Sequence, residues 1–181
     1  KTIERVEKQI SKLKRRLFAF SMARLAIFLA TTASIVLFFD QTSVVATTLA
    51  LGIVLFLILV DKHAKIRYKL RFFTQILDQN QLEIRISSGD FSGLRQGLEY
   101  VYETHDFNQD IDLFGDGSLF QTINRTATKN GEKQLANWLN SNDIHQIKEK
   151  QDAVQEISEK VEWRQNYTAN AALIESDISS T

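Results

Sequence analysis

The sequence contains no cysteine and no proline among its 181 residues. Without cysteine the chain can form neither disulfide bonds nor thiolate metal sites. The absence of proline favours long, uninterrupted helices, because proline removes a backbone donor and breaks a helix interior. The sequence begins with Lys1 rather than methionine, so we expect it to be part of a longer polypeptide.

Acidic residues are scarce in the segments on either side of the apolar stretch and basic residues are scarce after residue 71, although the net charge is zero. Lys1–Arg16 carries seven basic and two acidic residues, a net +5, and Lys62–Arg71 carries five basic residues and no acid. Phe72–Thr181 carries nine basic and eighteen acidic residues, a net −9. Because nucleic-acid binding requires basic groups to neutralise phosphates, the acidic part argues against direct DNA contact.

Two long apolar runs lie between the basic segments. Leu17–Phe39 contains twelve Leu, Ile, Val or Phe residues and one charge, Arg24, while Ser43–Val60 contains twelve such residues and no charge. Twelve such residues favour membrane insertion by about 4 to 7 kcal/mol, whereas Arg24 costs at most roughly 3 kcal/mol. As helices the runs would be about 34 and 27 Å long, close to the hydrocarbon thickness. We predict transmembrane helices at 17–39 and 43–60.

Asp40 and Gln41 form so short a link that the two helices must be antiparallel. Both flanks of the hairpin are basic and the link carries no Lys or Arg, so both termini are predicted to be cytoplasmic. The prediction is a multi-pass protein of the inner (cytoplasmic) membrane. A signal peptide would have a shorter apolar core. A buried soluble hairpin would show a polar stripe, which Ile53–Val60 lacks.

Apolar residues repeat with heptad spacing on both sides of the hairpin. The first set is Ile3, Val6, Ile10, Leu13 and Leu17, and the second is Ile66, Leu70, Phe73 and Leu77. We predict that they form an antiparallel coiled stalk, so that residues 1–86 make one domain with the membrane helices. The lipid bilayer is its first expected partner. The basic residues of the stalk either only fix the topology or also recognise anionic lipid.

Turn residues such as Gly89 end the stalk and begin an irregular linker, 87–111. Within it, Leu94–Tyr102 is predicted to be either a short helix or an irregular packed segment. A helical region is predicted over 112–181, which makes the fold class all-α. Ser118 and Gln121 match a capping box, in which both side chains satisfy free backbone N–H groups, and the helix should run to about Thr126.

Three further helices are predicted from apolar periodicity and capping residues. The first runs from about Asn130 to Asn140. Its expected core residues are Leu135, Trp138 and Leu139. Asp143 caps the next helix, which has an apolar face. That face consists of Ile144, Ile147, Gln151, Val154, Ile157 and Val161. The last helix extends from Trp163 to about Ile174.

Catalytic and ligand-binding motifs are missing. The sequence contains no G-x-x-x-x-G-K-[ST] loop, no H-E-x-x-H pair and no G-x-S-x-G elbow. We reject a calcium-binding loop beginning at Asp110. Phe114 occupies a ligand position, and Gln121 stands where a bidentate glutamate is required. The histidines are scattered as His63, His105 and His145. We interpret His63 as a stalk residue near the lipid head groups and His105 as a hydrogen-bonding loop residue rather than a ligand or base. We predict no catalytic, cofactor-binding or metal-binding residue.

One stretch contains a set of residues that together identify a family more specifically than any of them does alone. Its first half contains Leu113, Phe114, Ser118, Leu119, Asn124, Arg125, Thr126, Thr128, Gly131, Leu135, Trp138 and Leu139. Its second half contains Ile147, Lys150, Gln151, Asp152, Ala153, Val154, Ile157 and the tripeptide Trp163-Arg164-Gln165. Over about residues 105–165 these resemble the core, or lever, region of the MutS DNA mismatch repair family. Asn140–Asn142 departs from the family, because that linker usually contains proline.

The resemblance carries several expectations. A membrane hairpin stands where the family has its mismatch-reading domain, so the chain is similar to a membrane-anchored bacterial branch of MutS-related proteins. An ABC-type ATPase domain that binds ATP and Mg²⁺ is expected beyond Thr181, with a homodimer and mismatched-DNA binding in the full-length protein. The resemblance implies that the matched residues are structural rather than catalytic. The residue types agree with this, because Ser118 and Thr128 suit helix caps and Gly131 suits a close approach. Arg125 is either a buried hydrogen-bonding strut or a phosphate contact, and we favour the strut.

We therefore expect the membrane-anchoring and lever portion of a MutS-like ATPase, with no ATPase activity of its own. The alternative is a membrane scaffold or sensor whose helical domain binds a protein partner.

Overall fold

The computed structural model describes residues 2–101, 111–141 and 145–179. These residues form six α-helices and one 3₁₀ turn and contain no strand, which confirms the predicted all-α class. The helices are α1 (Thr2–Leu37), α2 (Thr42–Ser87), α3 (Leu119–Ile123), α4 (Lys129–Leu139), α5 (Ile147–Ser158) and α6 (Val161–Ser179); the 3₁₀ turn is Leu98–Tyr100. The chain divides into two compact units, Lys1–Thr74 and Gln75–Thr181.

The first unit is a pair of long antiparallel helices. The hydroxyl of Ser34 on α1 donates to Thr48 Oγ1 on α2 at 3.3 Å, and Thr31 lies against Gly52. The earlier of these two residues on α1 contacts the later of the two on α2. The helices are therefore antiparallel, as the short link predicted. Both helices continue past the apolar runs: α1 has 36 residues and α2 has 46.

The apolar segments of α1 and α2 are not covered by the rest of the described chain. Both helices are long and apolar enough to cross a membrane by length and composition, and none of either apolar window is buried. Phe28 on α1 is 63% exposed and Leu57 on α2 is 60% exposed. In contrast, Val6, Ile10 and Leu13 of the heptad pattern are buried.

The second unit packs its helices around a small apolar core. The buried apolar residues are Ile76, Leu113, Phe120, Ala136, Ala169 and Leu173. They come from α2, α3, α4, α6 and the segment before α3, so each of these elements buries at least one apolar side chain.

Helix α3 is shorter than predicted and ends at Ile123 rather than near Thr126. Asn124 leaves the helix with an extended backbone, and its Oδ1 accepts a hydrogen bond from the Thr126 N–H at 3.1 Å. Asparagine side chains compete with the helix in this way, because they bond to the backbone two residues ahead.

The prediction that Trp138 is buried is wrong. Trp138 is 54% exposed, whereas Ala136 and Glu132 are buried and face the core together. Residues four apart share a helix face, while a residue two positions from Ala136 lies about 200° around the helix. Leu135 and Leu139 are half-buried. The Lys150 ammonium instead lies 5.6 Å from the Trp138 ring centroid, an arrangement that favours a cation–π interaction.

The last two helices also differ from the prediction in their bounds and burial. Helix α6 begins at Val161 and continues to Ser179, beyond the expected end near Ile174. On α5, Val154 and Ile157 are exposed. The predicted cap Asp143 and the loop residue His105 lie outside the described residues.

Candidate functional site

The second unit contains an open cleft of about 1100 Å³. The last turns of α2 contribute Gln79 and Glu83 to its walls, the segment after α3 contributes Arg125, and α6 contributes Trp163 and Gln165. Residues distant in sequence thus meet here, and we call this feature the α2–α6 cleft.

Two polar contacts hold the last turns of α2 to the rest of the second unit. The Nε of Arg125 donates to Glu83 Oε1 at 2.7 Å, and Gln165 Nε2 donates to Asn80 Oδ1 at 3.1 Å. Arg125 therefore acts as a hydrogen-bonding strut, which was the favoured of its two predicted roles. It is half-buried rather than buried, and its charge is matched by a carboxylate.

The side chain of Gln121 joins α3 to the segment that follows α2. Its Oε1 accepts a hydrogen bond from the Gly117 N–H at 2.8 Å, and its Nε2 donates to the Leu94 carbonyl at 3.1 Å. Its own backbone N–H donates to Ser118 Oγ at 3.2 Å. The predicted capping box is thus half present, because the glutamine bonds to Gly117 instead of Ser118. A glutamate could not make the bond to Leu94, since it lacks the amide donor.

An aromatic cluster lies behind this junction. The ring centroids of Phe114 and Phe120 are 5.3 Å apart, and that of Tyr100 is 5.8 Å from Phe120. Phe120 is fully buried. Gly97 has a φ of +68°, and a Cβ at this position would lie 2.6 Å from Phe120 Cδ1. The chain can therefore approach the Phe120 ring only through glycine.

Helix α4 is attached to the 3₁₀ turn through a buried carboxylate. Glu132, which is 5% exposed, accepts a hydrogen bond from Arg95 at 2.8 Å, and Arg95 also pairs with Glu99. Burial raises the pKa of Glu132, and the charge of Glu99 reinforces this effect. Arg95 and the Tyr100 hydroxyl offset it only in part. The network holds two elements together.

Two predicted helix caps are present. The Thr128 hydroxyl accepts a hydrogen bond from the Gly131 N–H at 3.1 Å, and Ser118 caps α3 in the same way. A Cβ on Gly131 would lie 3.1 Å from Thr128 Oγ1, which is the close approach expected there. The periodicity did not show that Glu132 is buried or that Gln121 joins two segments. One feature of the sequence could have indicated the role of Gln121. The capping box has glutamine where glutamate is also common, and only glutamine has an amide donor.

The rim of the α2–α6 cleft exposes an aromatic pair. The rings of Trp163 and Tyr167 are stacked with centroids 5.3 Å apart, and both side chains are more than half exposed. Exposed aromatic groups of this kind are enriched at protein interfaces.

The residues that are present do not fit a site for ATP and Mg²⁺. The sequence has no phosphate-binding glycine loop, and the described residues contain no group of three or more His, Cys, Asp or Glu that could hold a metal ion.

Comparison with protein families gives one finding. The family model described as MutS domain III matches residues 64–179. Comparisons with curated proteins and with solved structures gave no significant match.

Proposed function

Because this chain belongs to the MutS domain III family, we propose that it is the membrane-anchoring and lever portion of a MutS-related ATPase. The observation that carries the proposal is the course of α2. This helix contains the apolar run 43–60, the family match begins at residue 64, and the helix continues to Ser87. One helix thus enters the family region directly from the proposed membrane segment.

The exposed apolar surface of the hairpin supports the anchoring part of the proposal. Soluble proteins rarely leave long apolar faces uncovered, and such faces meet membranes or partners. Several hydroxyl groups in these segments have protein partners. Thr31 donates to the Ile27 carbonyl and Thr47 to the Ser43 carbonyl, both at 2.9 Å, and Ser34 donates across the hairpin to Thr48. Satisfied polar groups are what a hydrocarbon environment requires.

The contacts at the cleft support the lever part. Glu83 and Asn80 on α2 are bonded to Arg125 and Gln165 in the family region. A movement of α3 or α6 is therefore expected to act on the last turns of α2. In our proposal ATP and Mg²⁺ act in an ABC-type domain elsewhere in the polypeptide or assembly, with a homodimer as the working form. This acidic region does not contact DNA.

A second candidate function is a membrane scaffold or sensor with a helical protein-interaction domain. The exposed Trp163–Tyr167 pair favours it, because stacked and accessible aromatic rings suit a protein partner. Both candidate functions include the membrane anchor. They differ in whether nucleotide binding changes the distance between the stalk and the helical region.

Cysteine accessibility tests the anchor directly, because the chain has no native cysteine. Single variants Ser11→Cys, Gln41→Cys and Ser88→Cys should be exposed to an impermeant thiol reagent in intact inner-membrane vesicles of known orientation. We expect Gln41→Cys to react only from the periplasmic side and the other two only from the cytoplasmic side. Equal labelling of all three from both sides would contradict membrane anchoring.

Spin-label distances test the lever. Labels at Ser11→Cys and Lys129→Cys, both at exposed positions, should be measured in the full-length protein with and without a non-hydrolysable ATP analogue. The proposal expects the distance distribution to change on nucleotide binding. An unchanged distribution in protein that binds nucleotide would exclude the lever and favour the scaffold.

A further inference from the structure

A basic depression lies on the first unit at the point where the apolar run of α2 ends. Its volume is about 340 Å³. The lining residues are Arg24 of α1 and Val60, His63, Ala64, Arg67, Tyr68 and Arg71 of α2. We call this feature the arginine depression.

The helix period explains why these residues meet. His63, Arg67 and Arg71 are each four residues apart and therefore form one stripe on α2. Val60, Ala64 and Tyr68 form the neighbouring stripe. The antiparallel register seen at Thr31 and Gly52 brings Arg24 opposite the end of the apolar run.

The local charge is strongly positive. Lys62–Arg71 contains no acidic residue, and the nearest acid in sequence, Asp61, pairs with Lys65 at 2.7 Å. The pKa of His63 is lowered by burial first and then by the charges of Arg24 and Arg67. Several cationic groups thus converge on one small volume.

We propose that the arginine depression binds the phosphate group of an anionic phospholipid. Guanidinium groups match phosphate oxygens in geometry as well as charge. Val60 and Ala64 supply an apolar wall for the glycerol and upper acyl chain. The position at the end of the apolar run is that of lipid head groups. The inference rests on the proposed membrane anchoring.

A matched pair of double variants separates this site from a general charge effect. Arg67→Gln/Arg71→Gln removes two positive charges from the lining. Lys62→Gln/Lys69→Gln removes two positive charges from the same ten-residue segment but from residues outside the lining. If the basic residues attract anionic lipid only through their general charge, both double variants should weaken lipid selectivity equally.

The experiment uses the full chain in nanodiscs of phosphatidylcholine, with and without phosphatidylglycerol. The imidazole NMR signals of His63, assigned with His63→Gln, report on the depression from within. We expect a His63 shift that depends on phosphatidylglycerol. The arginine double variant should weaken the apparent lipid affinity roughly tenfold, whereas the lysine double variant changes it less than about threefold. Circular dichroism of both variants should be recorded as a control, and we expect both to keep the helical hairpin.

The remaining arms distinguish the sources of phosphate. Inorganic phosphate is titrated into phosphatidylcholine discs, and a saturable His63 shift there without any effect of phosphatidylglycerol overturns the lipid assignment. Insertion without any lipid-dependent shift, or equal losses in both double variants, overturns the inference and leaves the anchor intact. Failure of the chain to enter either type of disc overturns the anchor and the inference together.

Discussion

Gly97 illustrates, at the scale of the residue, how two independent constraints select one amino acid. Its φ of +68° lies in the left-handed region, which side chains rarely adopt, and an added Cβ would lie 2.6 Å from Phe120 Cδ1. Gly93 has a similar φ of +76°, but nothing lies within 4 Å of an added Cβ. Substitutions at Gly97 and Gly93 can therefore separate the cost of backbone strain, which both share, from the cost of steric overlap with Phe120, which only Gly97 would have.

We predict that Gly97→Ala destabilises the second unit by about 2 to 4 kcal/mol, since overpacking adds about 1 to 3 kcal/mol to a strain of about 1 kcal/mol. Gly93→Ala should cost only the strain. Urea unfolding followed by tryptophan fluorescence measures both, because Trp138 and Trp163 lie in this unit. Equal costs for the two variants would contradict the contact with Phe120.

Glu132 makes stability depend on pH. Its folded pKa is raised above the ordinary 4.5, so its contribution is fully present below that value and is lost as the pH rises through the folded pKa. Glu132→Gln does not ionise. We expect its stability relative to the native chain to increase between pH 4.5 and neutrality, as measured by urea unfolding at several pH values.

Glu99 provides the control with the opposite sign. A backbone hydrogen bond first, and then Arg95, lower the pKa of Glu99, so its contribution is present above the ordinary value and is lost as the pH falls. Glu99→Gln should therefore lose stability relative to the native chain as the pH rises towards the ordinary 4.5, and should change little from there to neutrality. A Glu132→Gln variant that follows the same trend as Glu99→Gln would be inconsistent with a raised pKa at Glu132.

At the scale of the element, a small residue permits the close approach of α1 and α2. A Cβ on Gly52 would lie 2.6 Å from Thr31 Oγ1, whereas Ala50 on the same helix is exposed. Small residues allow helices in a membrane to pack closely.

We predict that Gly52→Leu separates the two helices and that Ala50→Leu does not. The reporter is disulfide formation between Ser34→Cys and Thr48→Cys, whose native hydroxyl oxygens are 3.3 Å apart. Gly52→Leu should slow the crosslinking roughly tenfold, in line with an overpacking cost of about 1 to 3 kcal/mol. Similar rates in both leucine variants would argue against a close crossing at Gly52.

The contact between α2 and the segment after α3 should be weak in energy although it is specific in geometry. Glu83 is largely exposed and Arg125 is half-buried, so a double-mutant cycle with alanine should give a coupling of about 0.5 to 1 kcal/mol. The cycle of Glu83 with exposed Lys129 serves as the reference and should show no coupling. If neither cycle shows coupling, the contact between Glu83 and Arg125 does not transmit movement to α2.

At the scale of the whole molecule, the two units should respond differently to denaturant. In lipid nanodiscs the helical hairpin has no water with which to exchange its backbone hydrogen bonds, so it should resist urea. The second unit depends on a small water-facing core. We predict that tryptophan fluorescence reports complete unfolding while much of the far-ultraviolet helical signal remains. Coincident loss of the two signals would contradict separate units and a membrane-embedded hairpin.

Most of the helical architecture follows from properties that are local in sequence. The apolar runs, the absence of proline and the charged flanks predict two long helices in antiparallel order. The side chains of Ser118 and Thr128 mark helix starts because each cap bonds only three residues ahead. The family resemblance over 105–165 is confirmed by the match over 64–179.

Only the tertiary structure decided which faces meet. Trp138 was expected in the core, yet Ala136 and Glu132 occupy it, because the choice between faces of an amphipathic helix depends on its neighbours. The Gln121 amide reaches Leu94, 27 residues earlier, and Arg125 reaches Glu83, 42 residues earlier. Such pairings depend on chain topology, which hydrophobic periodicity within a single element does not encode.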